Sequence, residues 1–364
     1  VLILLLVPGV PSVAAGEPSA LLSFGPDVRL SPRSAPAAWH LADTALASPF
    51  CDQFHLYLAD ERPAGCRDVA LAAAAPSQSS ADSSTATGAA YEETTPSKFW
   101  SYTILGALVA GSLANTLYET PKESFHFGNE GWFGKNTYAG GADKAAHFVH
   151  WYIISKEMSL LYRALGYSEG QSIAVGAGLG LLAGIINETG DGINRYGFAY
   201  EDLVMDVSGA GLAAMVSAFG VHDVVGFRSG ILLPAYGVPS GRGEVGEGYS
   251  SHIYTADLKL AGPARRLHLN IGPLRYLLVS VTYASKGYAT GIANRRERQV
   301  GFEIGLNLEE ILNSLGVRRE TWWGYSLHTV LDNFRVPFTS VGFQYDLNAG
   351  KWYGPSNGNT YATR

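Results

Sequence analysis

Between residues 99 and 221 the chain lays out four helix-length segments rich in apolar and small residues, and the first and third carry no charge at all. Little else in the sequence constrains the fold so strongly, because such segments must be covered by one another, by a sheet or by lipid. The first, residues 99–118 (FWSYTILGALVAGSLANTLY), has the length of a membrane span. Trp100, Tyr102 and Tyr118 near its ends resemble an interfacial aromatic belt. The second covers 143–165, the third 171–187 (QSIAVGAGLGLLAGIIN) and the fourth 202–221. Gly176, Gly178, Gly180 and Gly184 lower helix propensity in the third, and close helix–helix packing would explain their presence. The expected architecture is a membrane-associated four-helix bundle, with a soluble, Gly/Ala-rich bundle as the alternative. Of the four, only 99–118 reads as a span by itself.

Composition narrows the class. Only 16% of residues are charged and mean hydropathy is +0.05, where soluble domains run near 25% charged. Coiled-coil, collagen-like and basic nucleic-acid-binding chains are excluded. Charge is unevenly spread: residues 101–224 hold 6 Lys and Arg against 12 Asp and Glu, whereas 225–364 hold 15 against 10. The middle is therefore both apolar and acidic.

Those acids fall at helical spacing. Asp143 and His147 are four apart, with Lys144 beside them. Glu188 and Asp191 close the third segment, and Asp202 and Asp206 share a face of the fourth. Asp206 lies among Leu203, Val204, Met205 and Val207. A carboxylate buried there must pair, bind a cation or keep its proton. Lys144 and His147 are the basic partners at hand. Three uses stay open: a structural clamp between helices, a catalytic or metal site, or an ion or lipid-headgroup site. No standard metal motif is present, so the metal or cofactor is undefined.

The ordered set Asp143-Lys144-x-x-His147, Glu188-x-x-Asp191 and Gly197-Phe198-Ala199-x-x-Asp202-Leu203-x-x-Asp206-x-x-Gly209-Ala210 resembles the YfiM-like predicted periplasmic lipoproteins, a cell-envelope family of unknown function. It is more weakly similar to VanZ-like membrane proteins, which share the DK-x-x-H start. The resemblance covers roughly residues 98–235. It implies an envelope location and no particular reaction. The chain departs from the family in having no lipobox Cys near residue 16.

The flanking regions complete the expected organisation. Residues 1–15 (VLILLLVPGVPSVAA) read as a truncated secretory signal. Residues 16–97 read as an exported, largely disordered segment ending in an Ala/Ser/Thr linker, with Cys51 and Cys66 free to pair in an oxidising compartment. The helical bundle takes 98–235, and 236–364 is a β-rich antiparallel part, giving an α+β chain. Alternating runs at 254–261, 277–288, 299–308 and 339–347 predict strands, with 325–331 a further candidate and 309–315 a short helix. Alternation with aromatics is also what barrel strands show, but five or six strands are too few to close a membrane barrel. A sheet packed on the helices is the simpler expectation. Arg295, Arg296 and Arg298 suit a solvated hairpin loop or anionic headgroups.

The sequence thus points to a structural or binding protein of the bacterial envelope, membrane-associated with periplasmic exposure and with membrane lipids as partners. Nucleic acid and known protein partners play no part in that expectation. The alternative is an envelope hydrolase acting on a lipid or cell-wall precursor through Asp143, Lys144, His147, Glu188, Asp191, Asp202 and Asp206.

Overall fold

A computed structural model describes residues 96–118, 122–232, 249–288, 296–319 and 321–356. The expected signal, the segment through residue 95 with Cys51 and Cys66, and Arg295 lie outside the described residues. The chain is α+β. Its helical half comprises α1 (Lys98–Tyr118), α2 (Ala142–Ala164), α3 (Glu169–Asp191) and α4 (Tyr200–Ala218). The rest comprises β1 (Val225–Ile231), β2 (His252–Lys259), α5 (Ala261–Arg266), β3 (Leu277–Lys286), β4 (Glu297–Leu306), α6 (Leu308–Ser314), α7 (Trp322–Asn333), β5 (Phe334–Arg335), β6 (Ser340–Asp346) and β7 (Lys351–Ser356).

Helices α2, α3 and α4 pack against one another, and α1 lies along α3. This is three mutually packed helices with a fourth on the flank. Small residues set the spacing. A Cβ at Gly176 would run into Ser155 and Ser159, one at Gly180 into Ser155, and one at Gly209 into the Phe148 carbonyl. Gly184 sits against Asp206, whereas Gly178, on the other face, meets nothing within 4 Å. The glycine stripe is thus three residues at a spacing of four rather than the four expected. α3 starts at a capping box, with Ser168 accepting from the Gln171 amide and Gln171 returning the bond.

Among the described residues one helix, α3, is long and apolar enough to cross a membrane, by length and composition alone. Segment 99–118, expected to be the convincing span, falls short of that test. Ser101, Thr103, Ser112, Asn115 and Thr116 dilute its apolar face, and several turn their hydroxyls back onto the helix carbonyls.

The seven strands form one mixed sheet in the order β5-β1-β2-β3-β4-β6-β7. All neighbours are antiparallel except β1 and β5, which corrects the purely antiparallel expectation. β1 begins at Val225, ahead of residue 236. Residues 325–331 are helix, not strand: Thr321 caps α7 by accepting from the Gly324 amide, and the face carrying Tyr325, Thr329 and Asn333 turns onto Glu157. That spacing of four outweighs the short apolar alternation.

The sheet fixes the start of α2. Ala139, Gly140 and Gly141 all take positive φ, 44°, 64° and 89°. β3 holds this bend by donating from Ser285 Oγ to the Ala139 carbonyl (2.6 Å) and from Tyr283 to the Gly140 carbonyl (2.5 Å). The core continues from there, with Ala142, Ala146, Val149, Tyr152 and Ile153 of α2 packed on Ala213 and Val216 of α4 and Tyr254 of β2.

Candidate cation site

His147 projects from the second turn of α2 into a cage of carboxylates. Its Nδ1 is 2.7 Å from Asp206 Oδ1 and 3.6 Å from Glu188 Oε1. Its Nε2 is 3.7 Å from Asp143 Oδ1 and 3.9 Å from Asp202 Oδ1. Each ring nitrogen therefore faces its own pair of acids. Asp143 comes from the same helix four residues earlier, Glu188 from the last turns of α3, and Asp202 and Asp206 from successive turns of α4. Gly184 is what lets Asp206 lie against α3: an added Cβ would fall 2.8 Å from Asp206 Oδ2.

The two acid pairs are treated differently. Lys144, fully buried, lies 2.8 Å from Asp143, 2.6 Å from Asp202 and 2.5 Å from Glu130. It ties the segment before α2 to α2 and α4, and so acts as a clamp. Asp143 also accepts a hydrogen bond from Tyr249. The other pair has His147 beside it but no lysine. Neither oxygen of Glu188, 1% exposed, has a hydrogen-bond partner, and Asp206 Oδ2 also lacks one. Glu201, equally buried, accepts from the Gly131 amide at 3.2 Å and helps fold residues 122–141 over the cluster.

The electrostatics follow from this count. Five acids, Glu130, Asp143, Glu188, Asp202 and Asp206, face two bases, Lys144 and His147, leaving three negative charges in excess if all ionise. Burial pushes the Glu188 carboxyl up to about 8, against the opposing pull of His147. Burial likewise raises Glu130 and Asp202, helped by the neighbouring acids and opposed by Lys144. Asp143 goes the other way, because His147 and Lys144 outweigh its burial. Burial disfavours the His147 imidazolium, but the Asp206 hydrogen bond and the surrounding acids hold its pKa well above the ordinary value.

Two groups of side chains offer ligand atoms close enough to share one ion: Asp143, His147 and Asp202, and His147, Glu188 and Asp206. Within each group the atoms lie within 4.8 Å of one another. Lys144 already neutralises the first pair. The second keeps open oxygens, and imidazole plus two carboxylates suits a divalent transition metal.

Six of the seven residues read from the sequence meet here. Asp191 does not: at the end of α3 it accepts from Asn194 Nδ2 at 2.9 Å and from Asn187 Nδ2 at 3.4 Å. Glu130 and Tyr249 were missed, lying in irregular segments with no periodicity to mark them. A second charged cluster was missed as well. Lys156 of α2, Lys259, Glu309, Arg319 and Asp332 line a cavity of about 260 Å³, and Glu157 and Asn333 join the cluster behind it. Its sequence signal was the Lys-Glu pair in the middle of an apolar helix.

Residues 129–218 match the family described as a predicted periplasmic lipoprotein (DUF2279). That stretch starts one residue before Glu130 and takes in all five acids and both bases. The description suggests a cell-envelope location with periplasmic exposure. No curated protein and no solved structure matches the chain.

Proposed function

We propose that this is a cell-envelope protein with a binding role, whose helical half holds a divalent transition-metal cation through His147 Nδ1, Glu188 and Asp206. The observation that carries the reading is Glu188: a buried carboxyl group with neither oxygen hydrogen-bonded, 3.6 Å from a histidine that a second acid already contacts. Leaving such a group uncompensated is costly. A cation bound there displaces protons from His147 and Glu188, turning a charge excess into coordination. Lys144 keeps Asp143 and Asp202 in place alongside and sets the ring's direction through its second nitrogen.

The test is equilibrium dialysis of the full chain against Mn²⁺ or Zn²⁺, with bound metal measured by mass spectrometry. One ion per chain is expected, and Glu188→Gln and Asp206→Asn should each abolish it. Equal uptake by both variants and the parent would overturn the reading. The hydrolase alternative needs the same side chains and, in addition, a substrate-sized opening beside His147. The cavity of about 260 Å³ at Lys156 and Asp332 is lined by none of the five acids.

A further inference from the structure

The sheet is built with its polarity reversed. Through the middle of β3 (residues 278–282), and along β4 from Gln299 and β6, the side chains alternate in burial, yet the large apolar ones at 279, 281, 302, 304, 341 and 343 face outward. Val279, Ile304 and Val341 stand in one cross-strand row and Val281, Phe302 and Phe343 in the next. These six are 38% to 57% exposed. Their alternates on the other face, Ser280, Thr282, Glu303 and Gln344, are buried. There they bond to one another and to charges: Ser280 donates to Asp257 (2.6 Å), which pairs with Arg228 (2.5 Å), and Gln344 Nε2 donates to Thr282 (3.2 Å). Arg335 on β5 reaches Glu303 on β4, four strands away in the sheet, at 3.0 Å. Leu278 and Ala284 of β3 also point inward, Ala284 against Ile253; the sheet therefore curls around a mainly polar interior and presents an apolar exterior on these three strands.

A sheet in water packs its apolar face inward. The opposite arrangement, polar inside and apolar outside, belongs to strands that meet lipid. Strand length agrees: β3 and β4 have 10 residues each, which is what a tilted strand needs to cross the hydrocarbon layer. So do the strand ends. Arg275 stacks on Tyr276 just before β3, Arg296 and Arg298 stand at the far end of β4, and Trp352 packs on Tyr345 at the flank. Basic and aromatic groups at those levels suit the headgroup region. A protein partner would want hydrogen bonds, roughly one per 100–200 Å², and the two apolar rows carry no polar side chain to supply them.

We propose that the outer face of β3, β4 and β6 is a lipid-contacting surface, seated against the acyl chains of a bilayer. This is independent of the cation site. To test it, Cys51 and Cys66 are changed to Ser in the full chain, and a bimane label is placed at Ile304→Cys. Val281→Cys serves as a second position if the first misfolds, and Arg163→Cys on the helical half is the control. Each protein is diluted from detergent into phosphatidylethanolamine and phosphatidylglycerol vesicles, with and without brominated acyl chains. Label at 304 or 281 should shift to the blue and be quenched by bromine, while label at 163 should not. Adding Phe343→Asp should remove both effects. No shift at 304 and 281 overturns the proposal, as does equal quenching at 163. A blue shift without vesicles that grows with protein concentration also overturns it, and assigns the face to a second copy.

Discussion

α2 carries two buried charged clusters, and they are built on opposite plans. Toward its C-terminal half, Lys156 lies 2.8 Å from Asp332 and 3.3 Å from Glu157, Arg319 lies 2.6 Å from Glu309, and Lys259 contacts both Asp332 and Glu309. Three bases meet three acids, and Asn333 donates to Glu157 at 2.7 Å to fill a remaining site. Near the N-terminus of α2, five acids meet two bases and Glu188 is left without a hydrogen bond. A network that serves only to hold elements together closes its own charge, because each unpaired buried ion subtracts from stability. One that does not close is complete only with something added.

The strongest way to break this contrast is to open the balanced cluster. Asp332→Ala removes the carboxylate that Lys156 and Lys259 share, leaving two buried ammonium groups with one fewer acid, and should cost about 3 kcal/mol in urea unfolding of the full chain. Asp206→Asn, which relieves like-charge crowding, should cost under about 1 kcal/mol without metal. Equal costs would mean the two clusters do the same work. Next comes saturation with Mn²⁺ or Zn²⁺. At a hundredfold excess over Kd the folded state gains about 2.7 kcal/mol, read as a rise in Tm. Glu188→Gln should lose that rise and Asp332→Asn should keep it.

Acid separates the clusters again. Burial and Asp332 push the Glu309 carboxyl up, but Lys259, His328 and Arg319 outweigh them and hold it at about 2. Asp332 is also held well below the ordinary carboxylate range, its burial overcome by Lys156, Lys259 and Arg319. Their folded values lie below the unfolded ones, so the unfolded chain takes up protons first. Stability from these groups is present above the ordinary carboxylate range and should fall, on the order of 2 kcal/mol, as pH drops from 4 toward 2. Asp332→Asn should flatten that slope in a pH series of denaturant melts. The smallest effects come from the glycine stripe. Gly184→Ala should cost about 1 kcal/mol or somewhat more by pressing on Asp206 and should weaken metal uptake. Gly178→Ala, facing open space, should stabilise by roughly 0.5–1 kcal/mol.

Much of the site could be read from the sequence because helix periodicity carries it. Asp143 and His147 at a spacing of four, and Asp206 inside an apolar run, could not avoid the interior. Asp191 stands apart from the other six: three residues past Glu188 the helix is ending, and Asn194 donates to its carboxylate. Glu130 was invisible because it sits in an irregular segment whose fold depends on contacts with residues 192–201, such as the paired bonds between residues 126–128 and Phe198. In the sheet, four of the strands were placed within a few residues. What alternation cannot say is which face is inside. A period of two separates two sets of side chains, and assigning the apolar set to the core is an assumption about the solvent. Val281, Phe302 and Phe343 break that assumption.

Tyr249, just ahead of β2, gives its hydroxyl hydrogen bond to Asp143. It is a rivet between the sheet half and the acid cage, driven from a segment outside the matched region. Equilibrium thermodynamics makes such a joint two-way. If filling the cage changes the strength of that bond by some factor, then displacing residue 249 changes how tightly the cage is filled by the same factor. In that case the placement of residue 249 and the filling of the cage are two readings of one free energy, and Tyr249→Phe is the substitution that removes the bond between them.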